Sequence, residues 1–225
     1  MSALLVFAKV PEPGRVKTRL SPPLTPDQAA ALYGAFLRDA LDRYRAWGLG
    51  SGVDVRLHLA GAARVPHGLV PDGVEVLPQS GAGLGERMLL AFVQAFAAGH
   101  DRAVVVGTDH PTLPLAFFDL ALGALDDPLT AVLGPSDDGG YYLLGLNDVA
   151  PDLFDMRYSH ADVLADTLDR VGELDMTPVV LPPHYDVDDG PALARLVGEW
   201  REGADVGART ADMLRTLTES GAIAV

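Results

Sequence analysis

The sequence predicts an α/β fold, three layers deep (α/β/α), around a mostly parallel central sheet. Three observations lead there. Short apolar runs alternate with segments of helical periodicity along the whole chain, the pattern of a sheet covered by crossover helices. One run, Ala103 to Val106, is apolar at every position, as expected of a strand buried on both faces. No internal repeat, low-complexity linker or shift of composition divides the chain, so residues 1–225 are expected to form a single domain.

Taken in order, Leu4 to Ala8 reads as a buried strand. Thr25-Pro26-Asp27 then offers an N-cap, a proline at the first helical position and an early acid. Ala29, Leu32, Tyr33, Phe36, Ala40 and Tyr44 follow at helical spacing and carry that helix to about Trp47. Val53 to Leu59 alternates as a strand, and Val74 to Leu77 predicts a short one. Glu86 to Ala98 predicts a helix with Met88, Phe92, Ala95 and Phe96 inward. After the central strand come a helix over Leu115 to Leu125 and strands at Thr130 to Leu133 and Tyr141 to Leu146. A helix over Ala161 to Val171, a strand at Pro178 to Leu181 and helices over Pro191 to Trp200 and Ala208 to Glu219 complete the prediction.

Bulk properties narrow the function classes. With 48% hydrophobic and 21% charged residues the composition is that of a globular chain. No apolar run approaches the ~18 residues of a membrane span, and the first strand has no basic lead-in, so a cytoplasmic location is the default expectation. The absence of cysteine excludes disulfides, thiolate nucleophiles and Cys-based zinc sites. A net charge of −14 repels nucleic acid over most of the surface. The cations are distributed unevenly: fifteen of the seventeen are arginine, and the two lysines, Lys9 and Lys17, lie in or beside the segment Pro11 to Arg19. A small anionic substrate fits such a concentrated basic spot.

Four segments carry candidate chemistry. In the loop after the first strand, Gly14 permits an unusual backbone angle while Arg15, Lys17 and Arg19 supply three cations suited to a polyphosphate. Neither a Walker loop nor a dinucleotide-binding glycine motif is present, and a solvated basic loop is the alternative. In Val104-Val-Val-Gly-Thr-Asp-His-Pro111 the buried strand delivers Asp109 to the carboxyl edge of the sheet, where a hard cation and its phosphates would sit. Helix capping is the competing use of that aspartate. His110 reads as a histidine on the surface of the turn. Pro135-Ser-Asp-Asp-Gly-Gly-Tyr-Tyr142 brings acids and glycines to the mouth of another strand, as a tight turn or as a substrate loop. In Tyr185-Asp-Val-Asp-Asp-Gly-Pro191 the alternation expected of a short strand puts Asp186 and Asp188 on one face, where one of them would share a metal with Asp109; the alternative is that Asp188 and Asp189, just before Pro191, cap the next helix. A weaker glycine-rich segment, Gly81 to Arg87, leads into a helix.

Together these segments resemble the nucleotide-diphospho-sugar transferase superfamily, with its glycosyltransferase-A-like fold, over nearly the whole chain. Lys17-Thr-Arg-Leu-Ser-Pro-Pro-Leu-Thr-Pro26 is similar to the start of the bacterial guanylyltransferases that act on 2-phospho-lactate. Phe7 to Leu20, Gly107-Thr-Asp-His-Pro111 and Asp137-Asp-Gly-Gly-Tyr-Tyr-Leu-Leu-Gly145 resemble a related bacterial family of arsenosugar-biosynthesis-type glycosyltransferases. The resemblance implies that Arg15, Lys17 and Arg19 hold nucleotide phosphates within a loop contributed by Ala8, Lys9, Gly14 and Thr18. It implies Mg²⁺ or Mn²⁺ on Asp109, with Asp188 as the second ligand, and Lys17, Arg19 and Asp109 as the catalytic set. Gly83, Leu84 and Gly85 would lie near the nucleoside; Asp138, Gly139, Gly140, Tyr141, Tyr158 and Ser159 would face the second substrate. The chain differs from its relatives in three places. It has Pro11-Glu-Pro-Gly14 where a Gly-x-Gly-x-Arg-Met loop is common, Tyr141-Tyr142 where the guanylyltransferases have Thr-Asn, and Asp189-Gly190 after the second acid.

The expected activity is metal-dependent nucleotidyl transfer from a nucleoside triphosphate to a small phosphorylated or hydroxyl acceptor. Glycosyl transfer from a nucleotide sugar and non-catalytic nucleotide binding are the alternatives. A metal-dependent hydrolase built on Asp109, His110, His184 and Asp186 has compatible ligand types, though no spacing supports it. Neither nucleic acid nor membrane is expected as a partner; a homodimer is an open option, since the sequence does not reveal the oligomeric state.

Overall fold

The structure, a computed structural model, describes residues 1–61 and 65–223. A seven-stranded sheet forms its middle layer in the order β3-β2-β1-β4-β6-β5-β7. The strands are β1 (Ser2–Lys9), β2 (Val53–Ala60), β3 (Glu75–Pro78), β4 (Arg102–Val106), β5 (Thr130–Pro135), β6 (Tyr141–Leu146) and β7 (Thr177–Val180). The helices are α1 (Pro26–Ser51), α2 (Leu84–Ala97), α3 (Ala116–Ala124), α4 (Val163–Glu173), α5 (Gly190–Arg201) and α6 (Ala208–Glu219). The predicted strands and helices are present with ends displaced by a few residues, apart from the short strand expected at residues 185–188, which does not form.

Every strand pair is parallel except those of β6, which runs antiparallel to both β4 and β5. This reversal positions the site. The carboxyl ends of β1, β2, β3, β4, β5 and β7 reach one edge of the sheet, and β6 begins at that same edge, with Tyr141 opposite Pro135 and Leu143 opposite Val106. The connections that carry the candidate chemistry therefore meet along one rim.

Strand alternation divides the core into two layers. Leu4, Val6 and Ala8 of β1 pack with Leu57, Val104 and Val106 against α1 and α3. Ala3 and Leu5 pack with Ala103, Val105 and Leu144 against Phe92 of α2 and Val171 of α4. A third cluster explains the length of α1. Its Leu37, Leu41 and Tyr44 face the sheet, while Ala29, Leu32 and Phe36 meet Leu193 and Leu196 of α5 and Leu214 and Leu217 of α6. Helix α1 is thus sandwiched, and its apolar positions cover more than one stripe.

Local chemistry sets the helix starts. Thr25 caps α1 by accepting from the Gln28 amide, and the Gln28 side chain accepts from the Thr25 amide in return. The N-terminus of α6 has no capping side chain of its own. Asp39, buried on α1, accepts hydrogen bonds from the backbone amides of Arg209 and Thr210 instead.

Candidate functional site

The rim carries a cleft of about 520 Å³. Its centre is Lys17. Residues 12–17 turn through Gly14 (φ 74°), and Lys17 itself has a left-handed backbone (φ 48°) before the short 3₁₀ turn Thr18–Leu20. That conformation sends its side chain inward, where it is only 4% exposed. The ammonium donates to Asp188 Oδ1 at 2.6 Å and pairs with Asp109 Oδ1. Arg19 approaches the other oxygen of Asp188 at 3.1 Å. Burial alone would lower the Lys17 pKa, but the charges of Asp109 and Asp188 and their hydrogen bonds outweigh it and hold the pKa above the usual lysine value. For Asp188, burial acts to raise the pKa and the Lys17 charge to lower it, and the net result lies below the usual carboxylate range. Lys17 is therefore charged and Asp188 ionised at neutral pH.

Tyr33 of α1 organises the base of the cleft. Its hydroxyl accepts from the Lys9 amide at 2.9 Å and lies 3.3 Å from Thr108 Oγ1, joining the ends of β1 and β4. The Lys17 ammonium sits 5.7 Å from the centre of its ring. Segment 184–188 is fixed from two sides: the Val187 amide donates to the Asp109 carbonyl at 2.9 Å, and the His184 amide to the Pro135 carbonyl at 3.0 Å. These bonds bring Asp188, distant in sequence, next to Asp109.

Asp186 lies beside this pair, accepting from Ser136 Oγ at 3.1 Å. Burial, with the nearby charges of Asp188 and Asp138, pushes its pKa up to about 6. The two uses expected of this acidic stretch divide by residue: Asp189 caps α5 through the Ala192 amide at 3.0 Å, while Asp188 turns into the cleft. The stretch itself is not a strand; only an isolated bridge between Ser136 and His184 joins it to the sheet.

The expectation for His110 is corrected. It is buried (6% exposed), with Nδ1 2.8 Å from the Tyr185 carbonyl and its ring against Tyr142 and His184. Pro111 turns the chain so that segment 184–187 covers the imidazole. Burial pushes its pKa down to about 4, so it is neutral at ordinary pH.

Of the residues singled out in the sequence, Ala8, Lys9, Arg15, Lys17, Thr18, Arg19, Leu84, Asp109, Tyr141, Ser159 and Asp188 line the cleft. Arg15 stands on the rim, 74% exposed and paired with Glu12 at 3.0 Å. Gly14, Gly83, Gly85, Asp138, Gly139, Gly140 and Tyr158 are not among the residues that line the cleft. Gly83 is the residue just before α2, and Gly85 packs so tightly that an added Cβ would lie 2.4 Å from the Tyr158 ring. Asp138 accepts from the Gly140 amide within the turn, and a Cβ on Gly139 would meet the Ala161 carbonyl at 1.8 Å. Gly85 and Gly139 serve close packing of the loops that frame the cleft.

Sequence reasoning missed Phe7, Tyr33, Gln79 and Arg87, which also line it. Gln79 donates from Nε2 to the carbonyls of Ala8 and His58, tying β1 to β2 at the rim. Arg87 Nε donates to the Gly81 carbonyl at 3.1 Å. A polar side chain directly after a strand, at Gln79, was the available signal; Tyr33 looked like any other apolar helix position.

The donor set suits a hard cation. Mg²⁺ is commonly held by one or two carboxylates with substrate phosphates and water completing its shell. Asp109 and Asp188 share one ammonium and so lie close enough to act together. Among the described residues no group of three or more His, Asp or Glu is placed to hold a metal ion, so the protein would offer these two carboxylates.

Residues 49–160 match the family model described as "uncharacterized protein conserved in bacteria (DUF2064)". The structure of a candidate nucleotide-diphospho-sugar transferase from Desulfovibrio desulfuricans G20 is similar over 96% of this chain and 94% of that one, with 35% identity and a TM-score of 0.86. A cytidylyltransferase from Leptospira borgpetersenii shares the fold at 12% identity, with 98% and 94% coverage and a TM-score of 0.54. CMP:2-keto-3-deoxy-manno-octonic acid synthetase, complexed with CTP, shares it at 14% identity, with 89% and 98% coverage and a TM-score of 0.51. No curated protein matches the sequence.

Proposed function

Since the chain belongs to a bacterial family of nucleotide-diphospho-sugar transferase-like enzymes, we propose that it transfers a nucleotidyl group from a nucleoside triphosphate to a small phosphorylated or hydroxyl acceptor, with Mg²⁺ or Mn²⁺. The observation that carries this reading is the ionic cluster of Lys17, Arg19, Asp109 and Asp188 at the carboxyl rim of the parallel strands. Cations on a loop after β1, facing carboxylates after β4, can bind a polyphosphate and a hard cation together. The solved folds that handle cytidine nucleotides lend support from outside the chain.

In this reading an acceptor oxygen attacks the α-phosphorus, and the bond to the bridging oxygen of the pyrophosphate breaks. Lys17 and Arg19, with Arg15 at the rim, stabilise the charge that grows on the departing pyrophosphate. Asp109 and Asp188 would hold the divalent ion, which supplies charge neutralisation to the phosphates when bound. Tyr33 keeps the strand ends and Lys17 in register. Phe7, Met88 and Tyr141 give the cleft apolar and aromatic surface beside these charged groups. Because positioning and electrostatics supply the acceleration, no covalent enzyme intermediate is needed.

The deciding experiment is product identity. The purified chain, Mg²⁺, each nucleoside triphosphate and a panel of phosphorylated and hydroxyl acceptors should release pyrophosphate. Release of a nucleoside diphosphate from nucleotide sugars, without pyrophosphate from any triphosphate, would instead establish glycosyl transfer, the reading favoured by the description of the Desulfovibrio relative. Tight nucleotide binding with neither product would mark a sensor.

A further inference from the structure

Phosphate recognition does not by itself account for the burial of Lys17. A lysine waiting for a polyphosphate gains by keeping its ammonium accessible. Here the side chain is 4% exposed, and its ammonium is already engaged by two carboxylates. The left-handed backbone at Lys17 (φ 48°) is uncommon for a residue with a side chain, and it is what directs the ammonium inward. The same two carboxylates are the cleft's candidate ligands for a divalent ion. The ammonium takes Oδ1 of both acids and Arg19 approaches Oδ2 of Asp188, so a divalent ion entering between the carboxylates competes with the ammonium for their oxygens and is repelled by its charge.

We infer that Lys17 is the resident cation of the Asp109–Asp188 pair, and that a divalent ion displaces its ammonium into the cleft. The inference rests on the nucleotide-and-cation reading of the site and adds an order of events to it. Before substrate arrives, the ammonium holds together two acids that would otherwise repel each other. Once a divalent ion lies between them, like-charge repulsion drives the ammonium away, and the cleft that Lys17 lines is the space open to it. There it meets the phosphates. A side chain that gives up its carboxylates only when the ion enters links phosphate capture to the presence of that ion. Tyr33 stays beneath the moving group, its hydroxyl held by the Lys9 amide in either state.

The chain provides its own control, because Lys9 and Lys17 are its only lysines and Lys9 is exposed. Limited reductive methylation of the wild-type protein, read by peptide mass spectrometry, should modify Lys17 about tenfold more slowly than Lys9, as expected for a buried paired ammonium. Adding Mn²⁺ alone should raise the Lys17 rate several-fold, leave Lys9 unchanged, and have no effect in Asp109→Asn. In a second arm, Lys17→Gln should bind Mn²⁺ about tenfold more tightly than wild type in equilibrium dialysis without nucleotide, since the competing charge is gone. The wild-type labelling arm does not depend on that variant folding. Lys17 staying protected while dialysis shows Asp109-dependent Mn²⁺ binding would overturn the exchange and leave the cation reading intact. No Asp109-dependent Mn²⁺ binding, with or without a nucleoside triphosphate, would overturn both.

Discussion

Asp109 leaves the sheet three residues after the last residue of β4 and pairs with the one buried lysine of the cleft. Changing it to asparagine preserves shape but removes the charge. Turnover of Asp109→Asn should fall by about 10²–10³, in line with the loss of one preorganised electrostatic group. Steady-state kinetics beside an unchanged far-ultraviolet circular dichroism spectrum checks this. A second residue makes the fold sensitive to acid. His58 of β2 is buried, stacks on Phe7 at 5.3 Å and leaves Nε2 without a partner among the described residues. Burial, aided by the Arg56 charge, pushes its pKa down to about 4. The unfolded chain therefore binds a proton at this position as pH falls below about 6.5, where the folded chain does not. Its stabilising contribution is complete above that pH and is lost progressively as pH falls toward about 4. Urea midpoints at pH 7 and pH 5 should accordingly drop more for wild type than for His58→Phe; equal drops would assign the acid sensitivity elsewhere.

Among the elements, the joint between α1 and α6 has the sharpest consequence. Asp39 is 6% exposed and accepts from two amides at the start of α6, while Arg209 also pairs with it at 3.2 Å. A Cβ on Gly207 would lie 2.5 Å from its carboxylate, so the approach requires glycine at that position (φ 88°). Asp39→Ala removes the cap and leaves buried donors unpaired, and should cost about 2 kcal/mol of stability. Chemical denaturation measures this. The effect should fall on stability rather than turnover, because Asp39 does not line the cleft. The long helix itself was legible from its capping signals and apolar spacing. Its second partner was not, since a helix buried on two sides shows only a broad apolar face. The two uses open to residues 185–191 were separated for a related reason. Asp188 and Asp189 are both reasonable caps, and only the path of segment 184–188 beside β4 and β5 turns one into the cleft.

On the scale of the whole molecule, an acidic chain gathers Arg15, Lys17 and Arg19 on one rim. A ligand that bridges the loops after β1 and β4 ties together two central strands of the sheet, and its affinity should appear as global stability. A matched nucleoside triphosphate with Mg²⁺, at about 100 times its Kd, should add about 2.7 kcal/mol and raise the Tm. Differential scanning fluorimetry across nucleotides, with and without the ion, gives this directly. A flat response to every nucleotide, triphosphates and nucleotide sugars alike, would count against the proposed substrate class.

The sequence by itself determined the layers, the order of strands and helices along the chain, and the two segments that supply the cations and the first carboxylate. Those features depend on local periodicity, capping and strand ends, which neighbouring residues encode. Tertiary structure alone decided the direction of β6, which brings Tyr141 to the same rim as Asp109, and the burial of His110 under segment 184–187. It also decided that Lys17 would pair with Asp109 and Asp188. The contact with Asp188 joins residues 171 positions apart and depends on burial and on opposite charge at close range, neither of which has a period in sequence.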